Sequence, residues 1–218
     1  MSTRIAVVLE TTPKKTFATA IDWPGWSRSG KTITAALENL AAYADRYRPV
    51  ASLAGVAFPD GALELDVVET EAGGSGTEFG VPSRVTDADR RPTSAAEAER
   101  LAALVEAAWT RLAEIARDSP EVLRKGPRGG GRDKTKMLGH VREADGAYAR
   151  EIGLKLRAPA LDDAAGIAAL RSAMLDVLRQ PSDGSPLAGR TWTARYAAHR
   201  IAWHALDHAW EMEDRREP

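Results

Sequence analysis

Two hydrophobic patterns follow one another along this chain, and the change between them falls near residue 90. The first part carries short β-branched or alternating apolar runs, which predict strands. Between the second and third runs, apolar residues at helical spacing predict a helix from Thr32 to about Tyr47, ended by Pro49. A loop from Gly73 to Pro92 follows. The predicted strands are residues 4–10, residues 16–22 and the alternating run Leu63, Leu65 and Val67.

The second part has amphipathic helical spacing. Ser94 and Glu97 have the spacing of a capping box, in which the serine accepts from the third helical amide and the glutamate reaches back. Four such helices in succession are typical of a four-helix bundle. We therefore predict an α+β fold, with a small α+β domain over residues 1–90 and a four-helix bundle over residues 91–218. The predicted helices are residues 94 to about 115, about 133 to 152, about 163 to 178 and about 192 to 215.

Composition changes this picture mainly by exclusion. Lys plus Arg number 30 and Asp plus Glu 31, so no overall field favours nucleic acid or an anionic membrane. No apolar run approaches the roughly 20 residues that span a bilayer, and the N-terminus lacks the apolar region of a signal peptide. We therefore expect a cytoplasmic protein without nucleic-acid or membrane partners. Because the chain has no cysteine, any metal must be held by histidine and carboxylate ligands.

Two of the four histidines, His204 and His208, lie four residues apart in the last predicted helix. Positions i and i+4 differ by roughly 40° around a helix, so both imidazoles project from one face and make half of a metal site. His140, in the second predicted helix, could complete the site. Three protein ligands with a fourth position open is the usual arrangement of a catalytic metal. His199 falls at about 220° on the same wheel, on the far face, and is not a plausible co-ligand.

A polar stripe continues the face that carries the two histidines. Arg200, Glu211 and Arg215 share it, at about 40°, 20° and 20° from His204. Glu211 could be a fourth ligand, a general base or an acceptor that fixes an imidazole tautomer, and Arg200 or Arg215 could hold an anionic group. Glu143 is an alternative proton relay. We predict Glu211 and Arg200 as the catalytic residues, while inter-helix salt bridges are the favoured alternative for Arg215 and Glu143.

Other polar features are weaker signals. The basic loop over residues 124–136 includes glycines at P-loop spacing, but no strand precedes them and Arg132-Asp133 replaces the required Lys-Ser/Thr pair, so nucleotide binding is rejected. This loop could receive an anionic cosubstrate, although solvated charge is the default. Solvated faces are expected for Asp145, Glu151, Glu213 and Asp214, and packing roles for Trp203 and Trp210.

The C-terminal half, about residues 94–218, resembles the DinB/YfiT-like superfamily of metal-binding four-helix bundles. The resemblance implies one histidine from the second helix and a His-x-x-x-His pair from the fourth, positions that His140, His204 and His208 match. It also implies a divalent ion, often nickel or zinc. The stretches that carry the resemblance are residues 137–144 (MLGHVREA), Tyr148 and residues 200–208 (RIAWHALDH).

Some members of this superfamily are thiol-dependent S-transferases or isomerases, and others hydrolyse or sequester reactive small molecules. The resemblance therefore implies metal-dependent modification of a small-molecule substrate. Thiol transfer in detoxification, with a low-molecular-weight thiol as cosubstrate, is one expected activity. Two alternatives stay open: a protein that sequesters a ligand without turnover, and a regulatory or interaction protein with a structural or vestigial metal site. A homodimer is also compatible with the sequence.

The N-terminal segment, about residues 1–70, resembles the small α+β fold of HicB-like antitoxins. No recognisable DNA-binding helix-turn-helix or ribbon-helix-helix follows it, so the sequence does not support repression. The segment could pack beside the metal pocket, bind a partner or mediate dimerisation. The residues that carry this resemblance are Phe17-Ala18, residues 22–25 (DWPG), Gly30 and residues 34–39 (TAALEN).

Overall fold

The computed structural model describes residues 2–126 and 131–216, and its fold is mixed α+β, as predicted. Two short 3₁₀ turns, Ala88–Arg90 and Leu187–Gly189, accompany the main elements. The strands are β1 (Thr3–Thr11), β2 (Thr16–Ala20), β3 (Ser27–Gly30) and β4 (Leu63–Ala72). The α-helices are α1 (Ile33–Ala42), α2 (Ala44–Leu53), α3 (Ser75–Phe79), α4 (Ala95–Arg117), α5 (Lys134–Glu151), α6 (Ala164–Leu178) and α7 (Ala194–Arg215).

The strands form one sheet in the order β3-β2-β1-β4. The pairs β1–β2 and β2–β3 are antiparallel, whereas β4 runs parallel to β1. A parallel neighbour requires a crossover, and α1 and α2 supply it. Alternate residues point to opposite faces. Val7 and Ala18 therefore enter the main core, while Val8 and Thr19 line a cavity beside α7.

All three predicted strands are present, and the structure adds a fourth. β3 occupies a stretch where the sequence has no alternating apolar pattern, because it is an edge strand formed by pairing with β2. The hydroxyls of Thr19 and Ser27 lie 2.7 Å apart across this pair. Backbone pairing with a neighbour thus creates this strand, and a hydrophobic pattern of its own does not.

The predicted helix from Thr32 to Tyr47 is in fact two helices, and Pro49 ends neither of them. The break falls at Tyr43, with φ −93° and ψ 2°, and Pro49 lies inside α2. In the second turn of a helix, proline removes a single intrahelical hydrogen bond. Burial of Tyr47 and Val50 in the core compensates for this loss. The helix therefore continues past Pro49, because burial of its apolar side chains outweighs the lost hydrogen bond.

The predicted loop over residues 73–92 contains α3 and a 3₁₀ turn, and a buried carboxylate fixes it to the sheet. Glu10, only 5% exposed, accepts from the backbone N–H of Ser83 at 2.9 Å and of Arg84 at 3.1 Å. The Thr77 hydroxyl also donates to Glu10. The segment after α3 is consequently held over the face of the sheet opposite the main core.

Helices α4 to α7 agree with the four helices predicted from the sequence, to within a few residues at each end. α4 packs against α6 and α7, and α5 packs against the same two helices. Ser94 caps α4 by accepting from the Glu97 backbone N–H at 3.3 Å. The second hydrogen bond of the predicted capping box, from the backbone of Ser94 to the Glu97 side chain, is not formed, because that side chain pairs with Arg195 of α7 instead.

One hydrophobic core extends through both parts of the chain. Gly25, at φ 90°, lies directly against α7, and a Cβ atom there would approach the Leu206 side chain to 2.7 Å and Ala202 to 3.0 Å. Only glycine combines this backbone conformation with such a close approach. The domain boundary near residue 90 stays a prediction, and the two predicted parts share a core across it.

Two carboxylates expected on solvated faces are buried or paired, so those predictions were wrong. Asp145 is 2% exposed and accepts from Arg171 of α6 at 3.0 Å and from the indole of Trp109 of α4 at 3.3 Å. Glu213 pairs with Arg46 of α2 and Arg111 of α4. Their partners come from other helices, which the pattern of a single helix does not reveal.

The basic loop is described only in part, because residues 127–130 lie outside the described residues. At its far end, Asp133 accepts from the backbone N–H of Leu123 and pairs with Lys125. The N-terminal end of α5 is thereby attached to the chain that follows α4.

Within residues 2–126 and 131–216, no helix combines the length and the apolar character that crossing a membrane requires.

Trp203 and Trp210 are 5% and 1% exposed, which confirms their predicted packing roles.

Candidate metal centre

The structure brings His140, His204 and His208 together between α5 and α7, and we call this group the histidine triad. One ligand atom from each residue lies within 4.8 Å of the other two. The ring centroid of His140 lies 5.0 Å from that of His204 and 5.0 Å from that of His208. The centroids of His204 and His208 are 4.7 Å apart. The Nε2 atoms of His140 and His204 are 3.2 Å apart. Two nitrogens bound to one tetrahedral zinc ion would be about 3.3 Å apart, so this spacing fits a shared cation.

Helix packing explains why the triad forms. Met137 and Val141 of α5 are 0% and 1% exposed, so the turn that carries His140 is held against the rest of the core. Further along the same helix, Ala144 and Ala147 are partly exposed and carry only methyl side chains. His140 is itself partly exposed, whereas His204 and His208 are buried.

Burial keeps two of these imidazoles neutral. Burial, together with the neighbouring His208 ring and the positive charge of Arg200, lowers the pKa of His204 to about 2. The pKa of His140 is also lowered, first by burial and then by Arg132. Histidine binds metal through the lone pair of its neutral form. These two rings are therefore ready to bind a cation at neutral pH without first losing a proton.

Glu211 fixes the tautomer of the third histidine. Its Oε2 accepts from His208 Nδ1 at 3.1 Å, and its Oε1 accepts from Arg215 Nη1 at 2.6 Å. These two hydrogen bonds, that from His208 first, lower the pKa of Glu211 and keep it charged. With its proton on Nδ1, His208 has Nε2 available for a metal. Of the three roles predicted for Glu211, the contacts support the acceptor role. Arg215 forms a salt bridge, but with Glu211 of its own helix, so the predicted inter-helix pairing is wrong.

Two aromatic residues, Tyr148 and Trp192, pack beside His204 of the triad. The ring of Tyr148 meets His204 edge-on at 5.6 Å and packs against Trp192 at 5.2 Å. Burial raises the pKa of Tyr148. Sequence reasoning named Tyr148 only among the residues that carry the family resemblance, and it gave neither aromatic residue a role at the site. Glu143 is exposed and pairs at 3.2 Å with Arg142, its neighbour on α5, so the inter-helix salt bridge expected for it is wrong.

Arg200 lies next to the triad without contacting its ligand atoms. Its guanidinium carbon is 5.2 Å from the ring centre of Tyr148 and 4.8 Å from that of Trp203. Four residues separate it from His204, which is about 6 Å along a helix. Its catalytic role stays a prediction. His199 is absent from the triad, as expected, and instead bonds to the backbone of Ile21.

The triad brings three imidazoles close to one point, and His140 is the most exposed of them. Zinc and nickel both accept this donor set. Scans against family models, curated proteins and solved structures found no match for this chain. The contacts, burial and charges described above are therefore the observations that support a metal centre.

Proposed function

We propose that this chain is a DinB-like protein that binds one divalent ion and uses it to modify a small molecule. The observation that carries the proposal is the convergence of His140, His204 and His208, with ligand atoms within 4.8 Å of one another. We further propose that α4 to α7 form a DinB-like four-helix bundle and that residues 1–90 are a HicB-like module beside it. The order of the helices and the origin of each histidine support this assignment.

The chemistry follows from the proposed ligand set. A divalent ion held by three imidazoles lowers the pKa of a water or thiol at its open position and so supplies a nucleophile at neutral pH. Glu211 orients His208 through the Nδ1 hydrogen bond, and Arg215 orients Glu211. Arg200 adds a positive charge one turn before His204. Thiol transfer to an electrophile, with a low-molecular-weight thiol as cosubstrate and zinc or nickel as the ion, is the activity we propose.

Metal analysis of the purified chain tests the first step. The protein is prepared without chelator and without a histidine tag, and metal per chain is measured by mass spectrometry. We expect about one divalent ion per chain, and loss of that ion in the His140→Ala, His204→Ala and His208→Ala variants. Asp207→Asn is the matched control, because Asp207 lies on α7 but pairs with Arg28 of β3. Equal metal content in the triad variants and the control would overturn the proposal.

Turnover is tested separately on the metal-loaded chain. Zinc- or nickel-loaded protein is incubated with a low-molecular-weight thiol and an electrophile, and the thioether product is measured. We expect product formation that the triad variants lose. Stoichiometric metal without any product would favour the ligand-sequestering alternative over the enzyme.

A further inference from the structure

A cavity separate from the histidine triad lies between the sheet and α7. It is a cavity of about 40 Å³, and no histidine of the triad lines it. The segment that Glu10 holds over the sheet closes one side of this cavity. Its lining includes Thr19 and Ile21 from the sheet side and Tyr196, His199, Arg200 and Trp203 from α7.

His199 lines this cavity and carries a buried hydrogen-bond acceptor. The residue is 9% exposed, and its Nε2 lies 2.8 Å from the backbone oxygen of Ile21. A carbonyl oxygen only accepts, so Nε2 carries the proton and donates. Nδ1 of the neutral ring is then a lone pair, and it is buried without a partner among the described residues.

Arg200 and Trp203 line the same cavity and carry buried donors. Arg200 Nη1 and Trp203 Nε1 are both buried and have no hydrogen-bond partner in the part of the chain that the structure describes. Trp203 is 5% exposed. Within that part, Arg200 also forms no ion pair with a carboxylate. The two carboxylates near the cavity are already engaged, Glu10 by backbone amides and Asp89 by Thr86.

Buried polar groups without partners destabilise a fold, and native proteins pair nearly all of them. Here an acceptor and two donors, one of them charged, lie on neighbouring residues of one helix around one cavity. We propose that this cavity binds a small hydroxycarboxylate. Its carboxylate accepts from Arg200 and Trp203, and its hydroxyl donates to Nδ1 of His199. The cavity has room for about three waters, which restricts the ligand to a compact molecule such as glycolate.

The indole N–H of Trp203 is a direct reporter of this binding. We would titrate the metal-free, full-length chain with glycolate and follow the tryptophan indole signals by nitrogen–proton NMR, with Trp203→Phe assigning the signal. We expect a saturable shift at Trp203. Trp210 is the internal control, because its indole nitrogen is also buried without a partner among the described residues, yet it does not line the cavity. A silent Trp203 signal up to millimolar glycolate, or equal shifts at both indoles, would overturn the proposal and leave a water-filled cavity.

A ligand series tests each proposed contact without altering the protein. Acetate lacks the hydroxyl and should bind about tenfold more weakly than glycolate, because the acceptor on His199 stays unpaired. Glycolamide lacks the negative charge and should bind about tenfold to a hundredfold more weakly. Equal affinity for acetate would overturn the role of His199, and equal affinity for glycolamide would overturn the carboxylate as the recognised group.

A variant adds a protein-side test. Arg200→Met keeps an unbranched side chain and removes the guanidinium with its charge, so glycolate affinity should fall by about tenfold to a hundredfold, while glycolamide affinity should change less. An unchanged glycolate affinity would overturn the proposal. Should this variant fail to fold, the ligand series on the unaltered chain still decides. Because these titrations use metal-free protein, their outcome is independent of whether the triad binds a metal.

Discussion

The two faces of α7 differ in how far their buried polar groups are paired. On one face the triad rings and Glu211 contact one another and Arg215 donates to Glu211, while His204 Nδ1 and Arg215 Nη2 are buried without a partner among the described residues. On the neighbouring face three polar atoms of cavity-lining residues have no partner within the described ranges. A single helix thus carries a polar cluster that is largely paired and a second one that is open. The difference indicates that a cation would add to the first cluster, whereas an uncharged or anionic ligand atom must satisfy the second.

Charge separates the two faces as well. Burial lowers the pKa values of His140 and His204, so the triad presents neutral lone pairs that attract a cation. The cavity presents Arg200, whose charge attracts an anion. Arg200 and His204, which carry these opposite preferences, lie about one helical turn apart on α7. The predictions below perturb one face or both and test whether the two respond independently.

The largest effect is expected from Asp145→Ala. Asp145 joins α5 to α6 and α4 through Arg171 and Trp109, and removing it leaves Arg171 without its buried partner. Breaking a buried pair costs 3–5 kcal/mol, and because Arg171 can partly reach solvent we expect about 3 kcal/mol of unfolding free energy, measured by chemical denaturation. Metal affinity should fall too, because α5 carries His140.

The cavity provides the control for this variant, since no residue of α5 lines it. Binding of glycolate to folded Asp145→Ala protein should match that of the unaltered chain. A parallel loss of metal and glycolate binding would show that the two faces are not independent.

Gly25→Ala probes the opposite side of α7. The new Cβ would approach Leu206 to 2.7 Å in a backbone conformation that alanine rarely adopts. We expect a loss of about 2 kcal/mol in unfolding free energy. The sheet must move away from α7 to accept the methyl group, so the Trp203 indole signal should shift while metal affinity stays the same. Gly55→Ala is a comparison, because its Cβ would meet no atom within 4 Å at a similarly positive φ.

Glu211→Gln should weaken the triad face alone. Glutamine can still accept from His208 Nδ1, but it loses the charge and the ion pair with Arg215. Substituting such a partner of a metal ligand lowers metal affinity 10- to 100-fold, and the retained acceptor places this variant near tenfold. Competition with a chromophoric chelator measures the affinity.

Glu143→Gln is the matched control for that measurement. Glu143 follows His140 by three residues, as Glu211 follows His208, but its side chain is 70% exposed and pairs with Arg142. We expect its metal affinity to equal that of the unaltered chain. Equal losses in both variants would mean that net charge near the triad matters, and the hydrogen bond to His208 does not.

The sequence predicted the triad face much better than the cavity face. His204 and His208 are neighbours on one helix, and the apolar stripes of α4 to α7 are local signals that hold in the fold. His140, 64 residues before His204, was assigned through its place in a second helix. The cavity has no such local signal, because His199 meets a backbone oxygen 178 residues away. Asp145 was misjudged for the same reason, since its partner Arg171 is 26 residues distant on another helix.

The smallest effect is an acid sensitivity that both faces should share. Burial lowers the pKa of His199 on the cavity face and of His204 on the triad face below the ordinary 6.5. The unfolded chain therefore binds more protons than the folded chain below about pH 6.5, so the stability contribution present above this pH is lost as pH falls. Each histidine should cost about 0.7 kcal/mol of unfolding free energy between pH 7 and pH 6. Denaturation in chelator at both pH values should show that His199→Gln and His204→Gln each reduce the pH dependence by that amount. A reduction in only one of the variants would show that the two rings are not equally shielded, and the likeness between the faces would end there.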